Sequence, residues 1–175
     1  MSAPTVTGVT AGMLTVIDNY RLGVTPTSDG TVTVSVAANM VQDSAGNGNA
    51  SATAEVTSDR TSPDFTSSTG PSAVENSTIV LTVTATDAHG PATFTITGGV
   101  DAAKFNITPA GVLTFATAPD FEIPTDSGSN NVYDLIVTAN DSLGNSKTQG
   151  IAVTDRKSTR LNSSHGGISR MPSSA

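Results

Sequence analysis

At 175 residues, with no Cys, no Trp and 4% aromatic side chains, the chain has room for one domain or two small ones. Its composition excludes a disulfide framework, a zinc finger and a thiol nucleophile. A net charge of −7 argues against nucleic-acid binding, which needs a basic face.

No run approaches the roughly 18 apolar residues of a membrane span, and the start carries no paired charged and apolar regions of a secretory signal. Ser and Thr together number 49, and the apolar set is rich in regularly spaced Val. That pattern fits thin β-domains. All fifteen acids lie between Asp18 and Asp155, so residues 1–155 carry −11, whereas 156–175 carry +4 through Arg156, Lys157, Arg160 and Arg170.

Strand signals recur about every ten residues between Gly, Asn, Asp and Pro, as in an all-β sandwich. Asp29-Gly30 is a hairpin turn signal. Thr31 to Ala37 alternates Val32, Val34 and Val36 against Thr and Ser. Asp43 sits in a Gly-Asn-rich loop that reads as a turn, with a cation as the alternative. Thr78 to Thr86 places Ile79, Leu81, Val83 and Ala85 on one face, and Val132 to Asn140 does the same with Tyr133, Leu135, Val137 and Ala139. Each reads as a half-buried strand. Asp126, in a Gly-Ser-Asn loop, reads as a turn residue.

Pro63 cannot donate in a ladder and biases Ser62 to extended geometry. The predicted organisation is therefore a first domain over 1–60, a linker at 61–63, and a second domain over 64–155. The first has only four or so strand signals, fewer than the roughly seven of a sandwich, so it is expected to lack its opening strands.

Residues 20–63 resemble the C-terminal half of a bacterial immunoglobulin-like repeat of surface adhesins, through Val24 to Gly30, Thr31 to Ala37, Asp43 to Asn49, and Asp59 to Pro63. Residues 64–154 resemble a cadherin-like repeat. The matching motifs are Val74-Glu75-Asn76, Ala85-Thr86-Asp87, Phe105-Asn106-Ile107 with Gly111-Val112-Leu113, Pro119-Asp120-Phe121-Glu122, and Tyr133 to Asp141. Val153-Thr154-Asp155 stands where that family's linker motif begins. The resemblance implies tandem Greek-key β-sandwiches, a partial Ig-like domain followed by a cadherin-like one.

It also implies Ca2+ as cofactor, held by Glu75, Asp120 and Glu122 at one end of the second domain, by Asp87 and Asp141 at the other, and by Asp155 at the start of the linker. The implied role is calcium-binding extracellular adhesion or extension within a large repetitive cell-surface protein. The partners would be other copies, neighbouring repeats, another cell surface or a glycan, and the anchor would lie in parts of the chain outside this sequence. Two departures stand out. His89 replaces the second acid of the loop, and imidazole suits a hard cation poorly. The segment Asp59 to Pro63 lacks the full Asp-x-Asn-Asp-Asn run.

Asp155 to His165 and Ser169 to Ala175 resemble the in-frame translation of a common short-read sequencing adapter. The tail 156–175 has no apolar period, is read as artefactual and disordered, and is expected to pack against nothing.

No catalytic arrangement emerges. Asp120 and Glu122 are two carboxylates, as a glycosidase uses, but Trp platforms for a sugar are absent. His89 lies in no nucleophile motif. The chain is therefore read as a non-enzyme, with a carbohydrate-binding module or a passive spacer as the alternatives to adhesion.

Overall fold

The structure is a computed structural model that describes residues 5–8, 11–18, 21–40 and 45–158. The strands run in chain order as β1 (Thr5–Gly8), β2 (Ala11–Asp18), β3 (Arg21–Pro26), β4 (Gly30–Val36), β5 (Ala52–Ser58), β6 (Asp64–Phe65), β7 (Ser72–Val74), β8 (Ile79–Thr82), β9 (Ala85–Thr86), β10 (Thr93–Gly98), β11 (Phe105–Ile107), β12 (Val112–Phe115), β13 (Val132–Asn140) and β14 (Ser146–Arg156). The one helical turn among the described residues is a 3-10 turn at Ala102–Lys104. The all-β reading holds.

By internal contacts the chain divides into two compact units. Unit 1 is Met1–Thr66, Thr84–Thr93 and Thr138–Thr148; unit 2 is Ser67–Val83, Phe94–Val137 and Gln149–Ala175.

In unit 1, β4 is the middle strand of a sheet ordered β1-β4-β5, and β2 pairs with β3 alone. The ladder from Gly30↔Ser58 to Val36↔Ala52 is antiparallel. Two expectations are corrected here. Strands do precede Tyr20, namely β1 and β2. And Asp29-Gly30 closes no hairpin, because β3 and β4 belong to different sheets. The Asp29 carboxylate instead accepts the Arg60 N–H at 2.6 Å and the Thr61 hydroxyl. These bonds tie the start of β4 to the segment after β5. The alternation in β4 buries Val32, whereas β5 is exposed almost throughout, Val56 included.

Unit 2 draws its core from two sheets, one ordered β10-β13-β14-β7 and one ordered β11-β12-β8. Phe105 on β11 stacks on Phe115 of β12 with ring centroids 4.6 Å apart, and Tyr133 of β13 meets Phe115 edge-on at 5.1 Å. An edge-to-face arrangement at this distance is the favoured geometry for aromatic quadrupoles. Val83, Leu113, Leu135, Val137, Ile151 and Val153 complete the buried layer. The alternation read over Val132 to Asn140 is realised, since Tyr133, Leu135, Val137 and Ala139 are all buried.

The stretch 78–86 departs from its expected single strand. It breaks into β8 and β9, and Ile79 is 72% exposed. The break separates β8, paired with β12, from β9, paired with β6, and Ile79 is turned out by a register shift opposite Leu113/Thr114, where Leu81 pairs with Leu113 but Ile79 with Thr114. Val80 is the extra residue of a bulge, and a bulge throws the alternation out of phase. The Val83 N–H then leaves the ladder and donates to Gly111 O at 2.8 Å.

The expected boundary of the packed chain also moves. Arg156 pairs with Val74 in the parallel β14–β7 ladder, and Lys157 and Ser158 bond to acids of unit 2. Residues 156–158 therefore pack, because β14 continues two residues past Thr154. The rest of the tail, from residue 159, lies outside the described residues, as does Asp43.

Candidate metal centre

Unit 2 gathers four acids from three chain segments. Glu75 follows β7, whose parallel pairing with β14 brings it beside the end of that strand; the Glu75 N–H donates to Arg156 O at 2.8 Å. Asp120 and Glu122 sit in the loop after buried Pro119, and the Asn76 N–H donates to Pro119 O at 2.9 Å. Asp120 Oδ1 accepts the Glu122 N–H at 3.0 Å, which curls the loop. One carboxylate oxygen from each of Glu75, Asp120 and Glu122 lies within 4.8 Å of the others.

Asp155 is the fourth. It is 1% exposed, and neither of its carboxylate oxygens has a hydrogen-bond partner. Burial raises its pKa, and the charges of Glu75, Asp120 and Glu122 raise it further. The Arg156 N–H offsets this in part but falls short of hydrogen-bond geometry. A buried carboxylate with no donor is costly, so Asp155 is the group most in need of a positive partner.

Three neighbours hold Glu75 and Glu122. Glu75 accepts the Phe121 N–H at 3.3 Å and the Ser158 N–H at 2.8 Å. Glu122 pairs with Lys157, whose hydrogen bond lowers the carboxyl pKa and raises that of the lysine.

Asp87 and Asp141, in unit 1, are not brought into one cluster. Asp141 Oδ1 accepts the Leu143 N–H at 2.8 Å and the Asn145 N–H at 2.9 Å, and Oδ2 accepts Asn145 Nδ2 at 2.7 Å. Burial opposes ionisation of this group, but the Asn145 side chain and these N–H groups outweigh it and lower the pKa. Asp87 groups instead with Asp59 and His89, their ligating atoms within 4.8 Å of one another. Asp59 is absent from the expected ligand set; its place immediately before the Arg-Thr-Ser-Pro segment is the signal the sequence offers for it.

Asp126 is 5% exposed and accepts N–H groups from Gly128, Asn130 and Asn131, each at 3.0 Å. It is the turn residue expected. Asp101 is a second buried acid of this kind, with no motif in the sequence to mark it. It is 4% exposed, and its two oxygens accept the Ser127 N–H at 2.8 Å and the Asp134 N–H at 3.0 Å. The aromatic rings Phe94, Phe105, Phe115 and Tyr133 are buried, and Phe65 and Phe121 are half-buried. None of the described aromatics stands fully exposed as a platform for a sugar ring. No helix among the described residues is long and apolar enough to cross a membrane.

No protein-family model matches the chain, and no curated protein matches it. Solved structures similar to it are cadherin extracellular domains. Drosophila N-cadherin EC1-3 is 22% identical over 90% of this chain and 57% of its own, with a TM-score of 0.48. Protocadherin gamma B2 extracellular domains 3-6 are 17% identical over 88% of this chain and 40% of theirs, at 0.46. The third cadherin domain of human protocadherin 7 is 14% identical over 57% of this chain and 90% of its own, at 0.42. The chain thus spans about half the length of the multidomain structures it resembles.

Proposed function

We propose that this chain is a non-catalytic, extracellular adhesion or extension module that binds Ca2+ through Glu75, Asp120, Glu122 and Asp155. The observation that carries the reading is Asp155, a buried carboxylate with two unpartnered oxygens and its pKa raised beside three further acids. Calcium takes six to eight oxygens at about 2.3–2.6 Å, and one or two bidentate carboxylates with water can complete such a shell. The sequence motifs around Glu75, Asp120 and Glu122 support the same assignment.

A divalent cation would remove the repulsion among the four acids and fix the 119–122 loop against the end of β14. Neighbouring repeats of the same surface protein are the partners this end would meet. Calorimetric titration of the whole chain with Ca2+ tests the reading. The expected dissociation constant is about 1 mM, as in extracellular modules, and Glu122→Gln should weaken binding at least about tenfold by removing one charged ligand. Absence of binding heat at about ten times that concentration would refute it.

A further inference from the structure

The second cluster has a different donor set. Asp59, just after β5, has a side chain with no exposed surface, and its Oδ2 has no partner. Its Oδ1 accepts the Thr61 N–H at 3.0 Å, and the Asn145 amide donates to its backbone oxygen at 3.1 Å, so the residue is held in place. Asp87 Oδ1 accepts the His89 N–H at 2.8 Å, which leaves Asp87 Oδ2 buried and unpartnered. His89 Nδ1 is also buried without a hydrogen bond, 3.4 Å from Asp59 Oδ1.

We propose that Asp59, Asp87 and His89 form a zinc-type site, two carboxylates and one imidazole with an open fourth position for water. Zinc binds imidazole nitrogen at about 2.0–2.1 Å and carboxylate oxygen at about 2.0–2.2 Å, so two ligands of one tetrahedron stand about 3.3–3.5 Å apart. The His89–Asp59 separation of 3.4 Å matches such an edge. The pair makes no hydrogen bond, so the two groups face each other without satisfying each other.

The donor chemistry selects the metal. Calcium needs six or more oxygens, and the neighbouring acids are already taken. Asp141 is filled by Leu143 and Asn145, and Asp29 by Arg60 and Thr61. Two carboxylates, each with one oxygen lacking a donor, and a nitrogen undersupply a hard cation but suit a borderline one, for which imidazole is a good ligand. The cation would also neutralise two buried carboxylates whose outer oxygens otherwise find no donor.

The test uses the full 175-residue chain without a histidine tag, in calcium-containing buffer, titrated with zinc chloride by calorimetry and followed by thermal melting. One zinc per chain and a raised melting temperature are expected. His89→Asp restores an all-oxygen set at a partly exposed position. It should keep the circular dichroism of the parent and lose at least about tenfold in zinc affinity, one ligand being removed. Cobalt(II) should give the intense visible bands of a four-coordinate site, absent in His89→Asp. His165→Ala and Glu122→Gln should leave zinc binding unchanged, and the latter separates this site from the calcium centre. No zinc-dependent heat, equal zinc affinity in His89→Asp, or loss of zinc through His165→Ala would overturn the assignment.

Discussion

The Phe121 N–H donates to Glu75 Oε2 at 3.3 Å, joining residues 46 positions apart. That bond, with the Asn76–Pro119 backbone bond, sets one acid-bearing loop against another. Repulsion among Glu75, Asp120, Glu122 and Asp155 is therefore built into the fold, and each acid's response to a cation follows from its own surroundings.

Asp155 gives the sharpest contrast. Asp155→Asn removes a buried, unpartnered charge, so the metal-free protein should become more stable. A gain of about 1 kcal/mol would raise the melting temperature of a unit this size by about 4–8 °C. The same variant should lose most of the calcium-dependent rise, since only the folded state assembles the site. Melting curves with and without calcium check both halves, and a variant less stable than the parent without metal would contradict the account.

The pH dependence follows from two acids shifted in opposite directions. The Asp155 pKa is raised, so its contribution is fully present below the ordinary carboxylate value of about 4 and is lost as pH rises through the folded value. For Asp126 burial opposes ionisation, but the N–H groups of Asn130, Asn131 and Gly128 outweigh it, and the pKa is lowered. Its contribution is present above about pH 4 and is lost as pH falls through the folded value. In metal-free urea unfolding across pH, Asp126→Asn should flatten the acid limb and Asp155→Asn the limb above about pH 4.

The aromatic cluster should dominate the stability of unit 2. Phe115 is 3% exposed and touches both Phe105 and Tyr133. Phe115→Ala should cost about 3–5 kcal/mol. Tyr133→Phe keeps the ring and loses only the bonds of its hydroxyl with Thr125, at 3.3 and 3.4 Å, so about 1 kcal/mol is expected. Chemical denaturation of both variants measures the difference.

Gly111 has φ +89°, and a Cβ there would run into the Val83 carbonyl oxygen. Only glycine takes that conformation at no steric cost. Gly111→Ala should destabilise the protein by about 1–3 kcal/mol through strain alone, and more as the Val83–Gly111 bond breaks. Gly144→Ala also sits at positive φ, +98°, but meets nothing within 4 Å, so it should cost less. Equal losses would show that the close approach does not matter.

Period-2 alternation settled much of this protein without coordinates. Tyr133, Leu135, Val137 and Ala139 share one face and all are buried, because the opposite face, Val132, Asp134, Ile136, Thr138 and Asn140, mixes apolar with polar side chains and is the worse one to turn inward. Over 78–86 the same rule held for Leu81, Val83 and Ala85 but failed at Ile79, where a bulge, set by pairing with β12, reversed the phase; no local pattern reports a partner's register. The acids Glu75, Asp120, Glu122 and Asp155 were legible as candidates through their motifs. That Asp155 is buried and unpartnered depends on β14 running on beside β7. That Asp141 is spent on its own loop while Asp59 turns toward His89 depends on hydrogen bonds made after folding. Residue type fixes which donors exist, but only tertiary structure decides which are already satisfied.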